Sequence, residues 1–158
     1  MIDALGVVKL TDFGIAKVVT DQTLDEQKVL MGKYPYMSPE QVKLRGTSHR
    51  SDIYALGITL YETLMQAKPY PARSRKELLE MMEKPIESPD AHNPWIKAEL
   101  ADITMKMLRH RTSERFSSAR KIVIALEKYM YDGGYGPTNE KLALYIKRLL
   151  SDSNKEPL

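Results

Sequence analysis

Cysteine is absent from the chain. Disulfides and thiolate zinc sites are therefore excluded, and the composition agrees with a reducing, cytoplasmic setting. No apolar run is long enough to cross a bilayer. The longest, Ile53 to Met65, is interrupted by Glu62 and falls short of the ~20 residues a spanning helix needs. The N-terminus carries Asp3 and no basic region, so no signal peptide is expected. Internal repeats and low-complexity segments are missing as well. The net charge is only +3, without the clustered basic face that nucleic-acid binding requires. The Lys and Arg residues between 106 and 121 are expected to form the solvated side of two helices. Neither a nucleic acid nor a membrane is expected as a partner.

What is present suits a folded domain. A chain of 158 residues, 42% hydrophobic and 28% charged, is long enough for a real core. Four short segments stand out in order. The first is Val7-Val8-Lys9-Leu10-Thr11-Asp12-Phe13-Gly14, a short apolar strand pattern ending in a carboxylate and a glycine turn. A carboxylate held out at a strand end is the kind of oxygen ligand a hard cation such as magnesium takes. The second is Tyr34-Pro35-Tyr36-Met37-Ser38-Pro39-Glu40-Gln41. Here Ser38 caps a helix, Pro39 fits its first position and Gln41 completes a capping box. The third is Ser51-Asp52-Ile53-Tyr54-Ala55-Leu56-Gly57, and the fourth is Arg115 within Arg-Thr-Ser-Glu-Arg-Phe.

In that order the four segments resemble the C-terminal lobe of a eukaryotic-type (Hanks-type) serine/threonine protein kinase, over about residues 1–130. In that family Asp-Phe-Gly opens the activation segment and Ala-Pro-Glu closes it; here Ser38 replaces the alanine. The resemblance implies an activation segment spanning 12–40. Asp12 would be the magnesium ligand beside the ATP phosphates, Phe13 would pack beneath it and Gly14 would let the backbone flip. Thr20 and Thr23 resemble activation-segment phosphorylation sites, and exposed threonines without that role are equally common. Glu40 and Arg115 would form a buried ion pair anchoring the segment. Asp52 would receive hydrogen bonds from the catalytic-loop backbone, or act simply as an acid favoured near a helix N-terminus. One residue departs from the pattern. Lys33 stands where serine/threonine kinases usually carry the threonine that positions the catalytic base and the substrate hydroxyl.

The fold expected is mainly α, a partial kinase-like C-lobe with a short N-terminal β-hairpin and about six helices. Asp3-Ala4-Leu5-Gly6 suits a type I turn, with Val7 to Leu10 as the returning strand. A central helix over 51–66, capped by Ser51, is apolar nearly all round and thus reads as buried. Ser74 to Glu77 is a further capping box, and Pro85, Pro89 and Pro94 mark a loop. Ile96 to Leu108 and Ala119 to Met130 follow helical spacing. Residues 1–131 form the expected kinase-like part. Residues 132–158 form an extension that begins with Asp132-Gly133-Gly134 and carries one helix, frayed from about Ser151.

Phosphoryl transfer of this type needs a Gly-rich cover, a lysine paired with a helix glutamate, a base aspartate and a second metal-ligating asparagine. None can be placed in this sequence, so no catalytic residue is assigned. The expectation is part of a serine/threonine kinase, with ATP and magnesium implied by the family but bound poorly by this chain, which is inactive alone. A truncated reading frame, a degenerate copy and a half awaiting its N-lobe partner all fit. A protein substrate or that missing half would be the partner, and an apolar patch left uncovered on one side of the central helix would favour self-association. The competing reading is a non-catalytic, pseudokinase-like interaction module.

Overall fold

The computed structural model describes residues 1–10, 34–131 and 138–153. The chain forms two compact units, one containing Met1–Thr23 with Met130–Leu158 and the other Leu24–Tyr129. Among the described residues the helices are α1 (Pro39–Val42), α2 (His49–Met65), α3 (Arg75–Met81), α4 (Pro89–His92), α5 (Ala98–Met107), α6 (Ala119–Tyr131) and α7 (Asn139–Ser153). Two 3-10 turns, Tyr34–Tyr36 and Thr112–Glu114, complete the list.

The larger unit is organised around α2, which lies between two apolar clusters. Tyr54, Ile58 and Tyr61 join Val42, Leu78 and Leu108 in one of them. Ile53 joins Met107, Phe116 and Ile122 in the other. Two buried sides explain why the helix reads as apolar nearly all round. The third side is open: Asp52, Leu56, Thr59 and Thr63 are exposed and share one face by their spacing.

The start of α2 also differs from the sequence reading. Its cap is Ser48, whose hydroxyl oxygen accepts from the Arg50 N–H at 3.2 Å, while the Ser48 N–H donates to the Ser51 hydroxyl at 3.1 Å. Ser51 thus sits inside the first turn as the returning half of a capping box. Four residues of the proline-rich stretch form α4, with Ser88 as cap and Pro89 in the first turn, where its missing N–H costs nothing. The Ser74 hydroxyl accepts from the Glu77 N–H at 3.2 Å, whereas the Glu77 carboxylate reaches the Arg73 N–H at 2.8 Å. On α6 the buried face carries Ile122, and Val123 is half exposed.

In the smaller unit, the expected hairpin reduces to a single antiparallel bridge between Ile2 and Val8, with no strand among the described residues. The turn is held by Asp3, whose Oδ1 accepts from the N–H groups of Leu5 and Val7 at 3.0 and 2.9 Å. A lone two-stranded ribbon has no third strand to extend its ladder. Gly6, at φ +73°, abuts the first turns of α7. A Cβ there would lie 2.1 Å from the Asn139 carbonyl oxygen.

Helix α2 meets α5 at Gly57. A Cβ on this residue would stand 2.8 Å from the Met107 Cβ and 3.0 Å from a Leu108 methyl carbon. In an ordinary helix interior, Gly→Ala gains about 1 kcal/mol. Overpacking here costs about 1–3 kcal/mol, so Gly57→Ala is expected to lower the urea midpoint. A raised midpoint would contradict the close crossing.

Candidate functional site: the Glu40–Arg115 clamp

Arg115 follows the 3-10 turn Thr112–Glu114, and its side chain is fully buried. Burying a guanidinium is costly unless its donors are satisfied. All five N–H donors of Arg115 are used. Nη1 and Nη2 each donate to one Glu40 carboxylate oxygen at 2.8 Å. Nη1 also donates to the Arg50 carbonyl at 2.8 Å, Nη2 to the His110 carbonyl at 3.1 Å, and Nε to the Arg109 carbonyl at 2.7 Å. The guanidinium carbon lies 4.8 Å from the centre of the Tyr54 ring, a cation–π distance.

Glu40 is delivered by the first turn of α1. The Gln41 Oε1 accepts from both the N–H and the hydroxyl of Ser38, at 2.9 and 2.8 Å. Pro39 opens the helix, so Glu40 faces Arg115 from a fixed start. The Ser51 hydroxyl donates to Glu40 Oε1 at 2.8 Å, bringing α2 into the same site. Burial pushes the Glu40 carboxyl up. The Arg115 hydrogen bonds, its own N–H, the Ser51 hydroxyl and the Arg115 charge outweigh this and lower it from 4.5 to about 2.

The turn before α1 makes a second polar contact. The Tyr36 hydroxyl donates to Glu62 Oε2 at 2.6 Å, with the Lys68 ammonium 4.7 Å from the Tyr36 ring centre and 3.7 Å from Glu62 Oε1. The Glu62 hydrogen bond, followed by burial, pushes the Tyr36 phenol up.

Of the residues singled out from sequence, Ser38, Pro39, Glu40 and Arg115 come together. Asp52 is exposed on the first turn of α2, and its side chain makes no hydrogen bond or ion pair among the described residues. Asp12, Phe13, Gly14, Thr20, Thr23 and Lys33 lie outside the described residues. No group of three or more His, Asp or Glu residues is placed to hold a metal ion among the described residues.

Sequence reasoning missed Tyr54 and Ser51 as partners of the clamp, and Glu62 and Lys68 as partners of Tyr36. Glu62 left a signal, as a lone acid in an otherwise apolar helical stretch. The carbonyl acceptors of Arg50, Arg109 and His110 leave none, because backbone groups are common to every residue.

A family model described as the protein kinase domain matches residues 1–126. The chain is 38% identical to a probable serine/threonine-protein kinase of Clostridium perfringens over 129 residues, covering 80% of this chain and 19% of that protein. It is 31% identical to the tyrosine-protein kinase MasK of Myxococcus xanthus over 143 residues, 90% of this chain and 22% of that one. With the serine/threonine-protein kinase PrkC of Bacillus subtilis it shares 32% over 120 residues, 75% and 18% of the two chains. The chain thus spans only about a fifth of the length of these relatives.

Because the Glu40 carboxyl sits at about 2 when folded and 4.5 otherwise, the unfolded chain binds the extra proton between those values. Its contribution is complete above about 4.5 and is lost as pH falls toward about 2. Arg115→Ala should remove about 3–5 kcal/mol at neutral pH and flatten the acid limb of a stability–pH curve from urea unfolding. An unchanged midpoint, or an acid limb of the original steepness, would contradict the role given to the pair.

Proposed function

This chain belongs to the protein kinase family, and we propose that it supplies the lower-lobe part of a serine/threonine protein kinase. In this reading residues 12–40 are the activation segment, Glu40 and Arg115 fix its end against α2, and the Tyr34–Met37 turn lies where a protein substrate passes. The observation that carries the reading is the fully satisfied Arg115 clamp on Glu40, directly after the Ser38-Pro39 helix start. A segment that must be reordered at one end needs a fixed point at the other. Serine or threonine as the target rests on the names of the Clostridium perfringens and Bacillus subtilis relatives. The Myxococcus xanthus relative is named as a tyrosine kinase, which makes the target hydroxyl a point for experiment.

The 158 residues alone do not transfer phosphate in this account. Their sequence holds no Gly-rich cover, paired lysine, base aspartate or second metal-ligating asparagine at family spacing, and positioning supplies nearly all catalysis of this reaction. Asp12 would bring one carboxylate to magnesium, ATP would supply the phosphoryl group, and the remaining groups must come from elsewhere. The exposed face of α2, where Leu56 is 49% exposed, is the surface on which such residues, or a second copy of the chain, would sit. No helix among the described residues is long and apolar enough to cross a membrane; a cytoplasmic setting remains part of the proposal.

A second reading, a non-catalytic interaction module, is favoured by Lys33 in place of the positioning threonine. Two preparations separate the readings. Calorimetric titration of the 158-residue chain with magnesium and ATP should give no saturable binding; tight magnesium-dependent binding would overturn the inactivity of these residues alone. A chimera carrying the preceding kinase residues of the Bacillus subtilis relative should phosphorylate serine or threonine, and its Asp12→Ala version should not. A folded chimera without transfer would favour the interaction module.

A further inference from the structure

On the open side of the clamp, the turn after α1 and the loop before Arg115 enclose a groove of about 640 Å³. Lys43, Arg45 and Arg111 line it, together with His110 and the hydroxyls of Thr47 and Ser113. The one acid in its lining is Glu40, both of whose carboxylate oxygens are already engaged by Arg115 and Ser51. The side chains of Lys43 and Arg45 have no hydrogen bond or ion pair among the described residues. Arg111 has only an exposed contact with Glu114 at 3.7 Å, a geometry that contributes little. Burial, then the charges of Lys43 and Arg115, hold the His110 imidazole below its usual range. Lys43 and Arg45 thus stand here without an acid within 4 Å among the described residues, unlike Lys9, Lys68 and Lys76, each of which has one, and Arg111 has only Glu114.

The backbone fixes this arrangement. Leu44 has φ +54° and Gly46 φ +90°, and the left-handed region is costly for a leucine. The turn is held by the Leu44 N–H on the Gln41 carbonyl at 3.0 Å and the Arg45 N–H on the Glu40 carbonyl at 2.8 Å. Lys43 and Arg45 are therefore mounted on the turn that ends the short helix carrying Glu40, and across from them Arg111 and His110 precede Arg115.

We propose that this groove binds the phosphoryl group of a phosphorylated peptide segment. Three cations and two hydroxyl donors match a group of charge near −2 with three acceptor oxygens, where a carboxylate offers one charge and two oxygens. No Phe, Tyr or Trp lines the groove, so it lacks the row of aromatic rings on which single-stranded nucleic-acid sites stack bases. Its concave, polar lining also differs from the apolar face that enters a membrane surface. The volume exceeds that of a single phosphate and leaves room for flanking peptide backbone. The inference does not depend on catalysis, because Lys43, Arg45 and Arg111 have no part in the proposed transfer.

The test is fluorescence anisotropy of a labelled Gly-Ala-phosphothreonine-Ala-Gly peptide with the 158-residue chain at low salt. Binding should be saturable, at least tenfold tighter than that of the unphosphorylated peptide, and weakened by salt. The variant Lys43→Ala/Arg45→Ala should lose roughly tenfold or more in affinity. The double variant Arg120→Ala/Lys121→Ala, exposed on α6 outside the groove, should bind as the parent does. All these residues are exposed, and coincident thermal melts would show that the variants fold. Equal binding by the groove variant and the parent would overturn the proposal, as would no preference for the phosphorylated peptide. Binding to phosphatidylglycerol vesicles that the phosphopeptide fails to displace would also overturn it.

Discussion

A buried guanidinium admits few solutions, and Arg115 uses the most demanding of them. Its five donors require five acceptors in one plane, arriving from different parts of the chain. Two come from Glu40 on α1, one from the first turn of α2, and two from the segment Arg109–His110. The carboxylate and the arginine stand 75 positions apart in sequence. The clamp therefore joins three segments that local hydrogen bonding cannot join. Tyr54 closes its apolar side, and among the described residues the buried Tyr54 hydroxyl has no hydrogen-bond partner. A buried hydroxyl left unpaired costs about 1–3 kcal/mol, which the cation–π contact of the Tyr54 ring with Arg115 offsets in part.

Around this point the packing of α2 decides what else is possible. One side of the helix meets the cluster containing Val42 and Leu78, the other the cluster containing Met107 and Ile122. Gly57 lets α5 approach closely enough for both sides to be covered at once. The third face, with Asp52, Leu56, Thr59 and Thr63, stays exposed. The same economy recurs at the clamp. The residues adjoining Glu40 and Arg115 in sequence supply the cations of the neighbouring groove, so one fixed point sets the geometry of both.

Much of this was legible in the sequence, for physical reasons that differ from place to place. The Ser38-Pro39-Glu40-Gln41 start was readable because a capping box and a first-turn proline are local chemistry. The α2 pattern was readable because two buried sides leave a strong apolar signal, and an uncovered apolar side was expected on it, but which residues form that side (Asp52, Leu56, Thr59 and Thr63) was not. Two serines three residues apart, Ser48 and Ser51, are both competent caps, and only the Glu40 contact of Ser51 explains why Ser48 is the one used. Helix α4 was hidden because its proline signals a break and a first turn alike. The basic groove was not legible at all. Lys43, Arg45 and Arg111 are scattered in sequence and become neighbours only through the clamp.

The central claim is that Glu40 and Arg115 act as one unit on which the larger unit depends, and a double-mutant cycle in urea tests it most directly. With Glu40→Ala, Arg115→Ala and the pair combined, the account predicts that the double variant is far less destabilised than the sum of the single losses. The coupling should be about 2 kcal/mol or more, because either single change leaves the other group buried without its partner. Losses that add to within about 0.5 kcal/mol would mean the two side chains act independently, and the account would fail.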